Sequence, residues 1–296
     1  MSREEIATAL GGRSQIHQTS RATRADGAPV LRRRQFEVRS PGRKASCMAL
    51  AIALASLPAR DAHAEDLFEI RVFHAEVTRP NAFALELHSN YVAASAREIV
   101  TPEHAAGGVL FQQLEPSFGI ARRTEIAVHF RHTIDARGVD WGGVVLRGMT
   151  LLREERGSPL KIGVNVEGGY TPPRFVPARW GAEIRPVLEW NDGVLDIDLN
   201  PVVSFPFGGE HACVPVLQPS LSARVVIAKA IAPGVEYYAD IGPVSDVPPL
   251  AHQRHYAFAT ADVIAWPRWL IHFGAGVGLT PASSRAIVTV LLGHDF

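Results

Sequence analysis

Apolar and polar side chains alternate with a two-residue period through residues 82–296. In one segment Phe83, Leu85 and Leu87 share a face, and Glu86 and His88 lie on the other. Because successive side chains of a β-strand point to opposite faces, the pattern predicts strands with one apolar and one polar face. Nine segments alternate regularly, and three more, near 109–118, 141–152 and 254–264, alternate less regularly. The pattern therefore predicts 12 strands.

The lengths of these strands indicate a membrane protein. Most have 9 to 13 residues, whereas strands of soluble sheets have about 5–6 and a tilted membrane-crossing strand needs about 9–11. A water-soluble β-sandwich also alternates, but it does not require aromatic residues at the ends of its apolar faces, as an interfacial girdle does. The predicted girdle consists of Phe83, Tyr91, Tyr170, Trp180, Trp190, Phe205 and Trp269. We therefore predict an all-β fold, a transmembrane antiparallel up-and-down β-barrel of about 12 strands.

The connections between the strands alternate in length. The mostly long ones are 93–108, 134–140, 171–179, 206–214 and 243–253, and the last predicted external loop, 280–284, is short. The generally shorter ones are 119–122, 153–159, 191–193, 229–232 and 265–267. Long external loops and short periplasmic turns are typical of outer-membrane barrels. An even strand count places both ends of the barrel on the periplasmic side.

Charge and composition divide the chain before the barrel. Residues 1–64 carry 11 basic and 5 acidic side chains, whereas residues 65–296 carry 19 basic and 25 acidic ones, which gives net charges of +6 and −6. The apolar run 47–57 is too short for a spanning helix, which needs about 18 residues, and it is followed by Ala62-His63-Ala64. This pattern predicts a signal peptide that is cleaved after about Ala64 and export to the outer membrane.

The segment between the leader and the barrel, residues 65–81, also alternates. Phe68, Ile70 and Val72 oppose Glu69 and Arg71. It can form a thirteenth strand, a plug in the lumen or a periplasmic pairing segment, and an even number of strands favours the last two. The predicted organisation is an N-terminal extension and signal peptide (1–64), a lead-in segment (65–81) and a barrel (82–296).

Several motifs resemble those of known outer-membrane barrels. The chain ends in Leu291-Leu292-Gly293-His294-Asp295-Phe296, and this end resembles the C-terminal aromatic signal read by the barrel-assembly machinery. The stretches 115–119, 139–143 and 236–238 are similar to a poorly characterised group of proteobacterial outer-membrane transporters related to barrels of phenol-degradation meta-cleavage pathways. The resemblance implies outer-membrane lipid and the assembly machinery as partners, with Phe296 as the assembly signal.

The polar faces of the strands must line the lumen. The candidate residues of a solute path are Glu86, His88, Glu125, His129, Arg131, Arg147, Lys161, Glu167, Glu183, Arg185, Asp196, Asp198, Arg224 and Glu236. Opposed charges of this kind can select small solutes, or they can pair across a narrow barrel and close it. Barrels of about 8 strands have filled interiors, whereas those of about 16–18 strands enclose open channels. A channel or facilitator for a small solute is therefore the first interpretation, and a sealed structural or interaction barrel with binding loops is the alternative.

Other chemistry is weakly represented. A lipid-modifying enzyme is the third interpretation, but the mature chain lacks the His-x-Ser spacing that places both groups on one face of a strand, so we do not predict an enzyme. His211 with Cys213 and His252 with His255 form isolated pairs, which we interpret as solvated loop residues, so no metal or cofactor is predicted. The negative charge of residues 65–296 argues against nucleic-acid binding.

Overall fold

The computed structural model describes residues 66–96, 106–176, 178–208 and 212–296. The predicted signal peptide and its cleavage site at Ala64 lie outside these residues. The regular secondary structure of this part is all strand apart from one 3-10 turn at Leu250–His252. Within it, no helix is long and apolar enough to cross a membrane.

Twelve antiparallel strands close into a barrel. Strands β1 to β6 are Phe83–Ala94, Val109–Ala121, Thr124–Asp135, Gly138–Glu154, Leu160–Tyr170 and Trp180–Asn191. Strands β7 to β9 each have two parts: Leu195–Asn200 and Val203–Phe207, Val216–Leu217 and Ser220–Val225, and Ile231–Asp240 and Gly242–Pro243. Strands β10 to β12 are Arg254–Val263, Trp269–Gly278 and Ala286–Asp295. The barrel closes where β12 pairs with β1, from Ala84 opposite Asp295 to Ala94 opposite Ala286.

The interruptions in β7, β8 and β9 lie side by side in the wall. Pro201 and Pro219 lack the backbone N–H that a regular ladder requires. The neighbouring backbone groups still pair, since Gln218 N–H donates to Val202 O at 3.0 Å and Ile241 N–H donates to Leu217 O at 2.9 Å. The strands therefore bend at these positions without opening the wall.

The apolar and polar faces predicted from the sequence are the outer and inner faces of the barrel wall. Side chains at the predicted apolar positions point outward, and Trp180 and Trp190, at opposite ends of β6, are 58% and 46% exposed. Phe83, Tyr91 and Trp269 are also exposed, and the other two girdle residues, Tyr170 and Phe205, are half-buried on the same outer face. Such an apolar outer surface is what lipid requires and water disfavours.

The connections between strands distinguish the two ends of the barrel. One end, the turn end, carries the turns after β2, β4, β6, β8 and β10 together with both ends of the barrel chain, and the other is the loop end. The predicted long loop 134–140 is wrong, because β3 continues to Asp135 and β4 begins at Gly138. A tight turn forms there because Gly138 adopts a φ of 130° and Arg137 N–H donates to Asp135 Oδ1 at 2.7 Å.

At the turn end, Asp192 and Gly193 form a tight turn between β6 and β7. Gly193 adopts a φ of 89°, a conformation that glycine tolerates without strain. The N–H groups of Leu195 and Val194 donate to the Asp192 carboxylate and hold its pKa below its ordinary value. The predicted 229–232 turn is shifted, because β8 ends at Val225 and β9 starts at Ile231.

Candidate functional site in the lumen

Residues 66–80, here called the lumen segment, run through the inside of the barrel. Near the loop end, Asn90 Nδ2 donates to Leu67 O at 2.9 Å. Near the turn end, Thr78 N–H donates to the Glu125 carboxylate at 2.5 Å, and the chain then turns through Asn81 into β1. The chain thus enters the lumen at the loop end and leaves it at the turn end.

Wall side chains replace the strand partner that the lumen segment lacks. Asn200 accepts the Phe73 N–H at 2.7 Å and donates to Phe73 O at 3.0 Å. Ala75 N–H donates to the Glu189 carboxylate at 2.9 Å. These contacts satisfy backbone groups that would otherwise be buried without partners.

Apolar side chains of the same segment form the core of the barrel. One buried cluster joins Leu67, Phe68, Ile70 and Val72 to wall residues. A second joins Phe73 and Ala75 to Met149, Leu151 and Val187. The segment therefore fills the lumen as packed core as well as by hydrogen bonds.

Around this segment lies a continuous network of charges, here called the central cluster. Its members are Glu69, Arg71, Glu86, His88, Glu115, Glu125, His129, Arg131, Arg147, Glu167, Glu183 and Arg185. Arg147 bridges Glu115 at 2.6 Å and Glu125 at 2.7 Å. Arg71 of the lumen segment pairs with Glu86 at 2.5 Å, and Arg131 contacts Glu69 at 3.2 Å. The cluster thus joins the segment to the wall through paired charges.

A second network, the turn-end cluster, is centred on Arg224. Its guanidinium contacts Asp196 and Asp262 at 2.8 Å each and Asp198 at 3.2 Å. Two imidazoles complete it, since His74 Nδ1 lies 2.8 Å from Asp198 and His272 Nδ1 lies 2.9 Å from Asp262. This cluster also joins the lumen segment to the wall, because His74 belongs to the segment.

All fourteen sequence candidates for the solute path lie on the inner face. Nine belong to the central cluster and three, Asp196, Asp198 and Arg224, to the turn-end cluster. Lys161 pairs with Glu189 at 2.8 Å, and Glu236 accepts a hydrogen bond from the Tyr238 hydroxyl at 2.6 Å. Most of the candidates therefore have a charged or polar neighbour within the lumen, and Arg131, Glu167 and Glu183 also line a cavity at the loop end.

Sequence reasoning missed Glu69, Arg71, His74, Glu115 and Asp262. The first three belong to the lumen segment, whose partners only the folded barrel supplies. Glu115 and Asp262 lie on β2 and β10, where alternation is less regular. Glu115 shares parity with the buried Gln113 and Ser117, and this was the available signal.

A cavity of about 810 Å³ opens at the loop end, and we call it the vestibule. Its charged lining includes Asp66, Arg131, Asp135, Arg137, Asp140, Glu167, Arg174, Arg179 and Glu183. Phe68, Phe111 and Phe175 form an aromatic corner in it, with ring centroids 5.1 to 6.4 Å apart. A second cavity, of about 10 Å³, lies between the lumen segment and the wall near His74 and His272. The lumen thus narrows sharply below the vestibule.

The described histidines outside the lumen differ in their surroundings. On the outer face His132 Nε2 lies 3.0 Å from Gln112 Oε1, and His294 packs between Trp269 and Phe296. The interpretation of His255 as a solvated loop residue is wrong. It is buried at the start of β10, because its ring contacts the Tyr237 hydroxyl at 2.5 Å and Gln253 at 2.9 Å. His211 lies outside the described residues, and Cys213 is exposed.

Fold and surface together define a β-barrel of the transmembrane type, with an apolar outer face and a charged, largely filled lumen. Among solved structures, an outer-membrane channel from Pseudomonas putida F1 matches with a TM-score of 0.54 and 10% identity, over 77% of this chain and 100% of that one. The NanC porin matches with a TM-score of 0.49 and 8% identity, over 72% and 98% of the two chains. The KdgM porin matches with a TM-score of 0.48 and 10% identity, over 72% of this chain and 99% of that one.

No protein-family model matches the sequence, and no curated protein matches it either. At 10% identity the likeness to the Pseudomonas channel concerns the fold alone. The resemblance to barrels of phenol-degradation pathways stays a prediction.

Proposed function

We propose that this protein is an outer-membrane channel for a small solute, with the loop end outside the cell and the lumen segment as its plug. The observation that carries the proposal is the vestibule, a cavity of about 810 Å³ that leads from the loop end to charged lumen side chains. Pockets that bind small molecules have about 300–1,000 Å³. The solved channel of similar fold supports the same class of function.

The lining of the vestibule favours a solute that carries both polar and apolar groups. The guanidiniums of Arg174 and Arg131 lie over the rings of Phe175 and Phe68, 4.7 and 5.6 Å from the ring centres, and Arg179 is an exposed residue of the same lining. Arg131, Arg137 and Arg174 each also pair with a neighbouring aspartate. A guanidinium next to aromatic rings suits an anionic group attached to a flat apolar one. Entry beyond the vestibule requires that the lumen segment move, because this segment fills the space below.

The second candidate function is a sealed barrel that acts through its loops. The packed lumen segment and the paired charges favour it, since they leave a cavity of only about 10 Å³ near the turn end. The two functions differ in one measurable property, which is ionic conductance through the folded barrel.

Conductance in a planar bilayer distinguishes them when the plug is loosened. Asn200→Ala removes the side chain that holds both backbone groups of Phe73, so we expect more frequent and longer open steps than in the unaltered barrel. Asn165→Ala is the matched control, because Asn165 is equally buried but donates to the wall residue Glu167. If neither the unaltered barrel nor Asn200→Ala conducts, although heat-modifiable migration on a gel shows that both fold, the sealed barrel is established instead.

A further inference from the structure

Three imidazole nitrogens at the centre of the lumen make no well-formed hydrogen bond to the described residues. His129 is fully buried, and both of its ring nitrogens are unpaired there. His88 is 2% exposed, and its Nε2 is unpaired as well. By contrast, His74 and His272 in the turn-end cluster pair with aspartates at 2.8 and 2.9 Å. Buried polar atoms without well-formed hydrogen bonds are costly, and these nitrogens instead face carboxylate oxygens at 3.2 to 4.0 Å.

Glu86, His88 and Glu115 each offer a ligand atom within 4.8 Å of the others, and His129 Nε2 approaches the same Glu115 oxygen. His88 Nε2 lies 3.3 Å from Glu115 Oε2 and 3.4 Å from Glu86 Oε2, and His129 Nε2 lies 3.2 Å from Glu115 Oε2. Zinc bonds to nitrogen and oxygen of about 2.0–2.2 Å give edges of roughly 3.3–3.5 Å in a tetrahedron. The distance from Glu115 Oε2 to each ring nitrogen is therefore close to the spacing between two ligands of one zinc ion.

One divalent cation would balance the net charge of the central cluster. Its six glutamates and four arginines sum to −2 when both imidazoles are neutral. Asp66, which also contacts Arg131, is 40% exposed at its side chain and is screened by solvent. One divalent ion or two protons on the imidazoles neutralise the buried charge, so the metal and the protons compete.

We propose that the lumen binds one divalent transition-metal ion of the zinc class through His88, Glu115 and His129, with Glu86 as the fourth ligand. Two imidazoles with carboxylates suit zinc and its neighbours, and they disfavour magnesium and calcium, which prefer oxygen alone. Arg71 on Glu86 and Arg147 on Glu115 fix the two carboxylates. Glu69 and Glu167 face His129 Nδ1 at 3.7 and 4.0 Å, beyond hydrogen-bond distance, and add negative charge on that side of the ring. The site does not depend on conduction.

Zinc binding to the purified full-length barrel in detergent tests the site. After removal of metals with a chelator, titration calorimetry with zinc chloride is expected to give one ion per barrel, with release of protons above that of the buffer. His88→Gln and His129→Gln should each weaken zinc binding by roughly 100-fold or more. His272→Gln is the control, because His272 is also lumenal but keeps Asp262 as its partner.

The coordination shell gives a test that needs no variant. X-ray absorption of the zinc-loaded barrel is expected to show scattering from two imidazole rings and from oxygen. No stoichiometric zinc at millimolar free metal, an unchanged affinity in the double variant H88Q/H129Q, or a shell without imidazole would each overturn the proposal. Variants are compared only where heat-modifiable migration shows that they fold, and the absorption measurement decides if they do not.

Discussion

Single residues on the inner face of this barrel are matched in size to their neighbours on adjacent strands. The alternation of Gly274, Gly276 and Gly278 with apolar residues indicates space for a neighbouring side chain, and the structure confirms this. A Cβ built on Gly276 would lie 2.5 Å from atoms of the Phe258 ring. Phe258 is itself 2% exposed and packs with Tyr238 and Tyr256. The lack of a side chain at Gly276 therefore leaves space for the Phe258 ring in the core.

Gly276→Ala is expected to lower the free energy of unfolding by about 1–3 kcal/mol, because a filled core resists added volume. Gly148→Ala is the control, since no atom lies within 4 Å of the Cβ built there. The measurement is the urea midpoint of the barrel folded in lipid. Equal midpoints for the two variants would show that Phe258 moves aside without cost.

At the scale of elements, the C-terminal strand β12 both closes the barrel by pairing with β1 and carries the last residue, Phe296. Phe296 N–H donates to Phe83 O at 2.9 Å, and its ring packs against Phe83 and His294. The ring is nevertheless 67% exposed on the outside of the turn end. The predicted role of Phe296 as the assembly signal can therefore be tested without removing a core residue.

Phe296→Ala is expected to reduce the amount of protein assembled in the outer membrane several-fold while the purified variant still folds in detergent. The reason is that the exposed ring contributes little core packing. Trp266→Ala, at a similarly exposed aromatic of the turn end, is the control. Cell fractionation followed by heat-modifiable gel migration measures both effects, and equal assembly of the two variants would contradict the role of Phe296.

At the scale of the whole molecule, one charge network links the wall to the plug. Arg147 is almost fully buried between Glu115 and Glu125, and its guanidinium also lies 5.5 Å from the centre of the Phe73 ring. Removing one partner of a buried charge pair leaves the other uncompensated. Stability therefore depends on this side chain, and so would ion selectivity in a conducting barrel.

Arg147→Met is expected to lower the free energy of unfolding by about 3–5 kcal/mol and, in a conducting barrel, to shift its selectivity towards cations. The shift follows from the two carboxylates that lose their counter-charge. Arg153→Met is the control, because Arg153 is 43% exposed near the end of β4 and is not part of the vestibule lining. Urea unfolding and reversal potentials in a salt gradient measure the two effects. Loss of stability without any change in selectivity would argue for the sealed barrel.

The sequence by itself determined the strands and their two faces. Alternation is a local property, so Trp180 and Trp190 or Glu183 and Arg185 could be assigned to a face from spacing alone. It also indicated twelve strands and the turn at Asp192 and Gly193. It failed at 134–140, because the tight turn depends on the pairing of β3 with β4, which spacing does not reveal.

Only the tertiary structure decided what the lumen contains. The course of residues 66–80 depends on side chains such as Asn200 and Glu189, more than a hundred positions away. The approach of His88 and His129 to Glu115 likewise requires the register of three adjacent strands. Alternation fixes which way a side chain points, but curvature and register fix what it meets, and these arise from closure of the whole sheet.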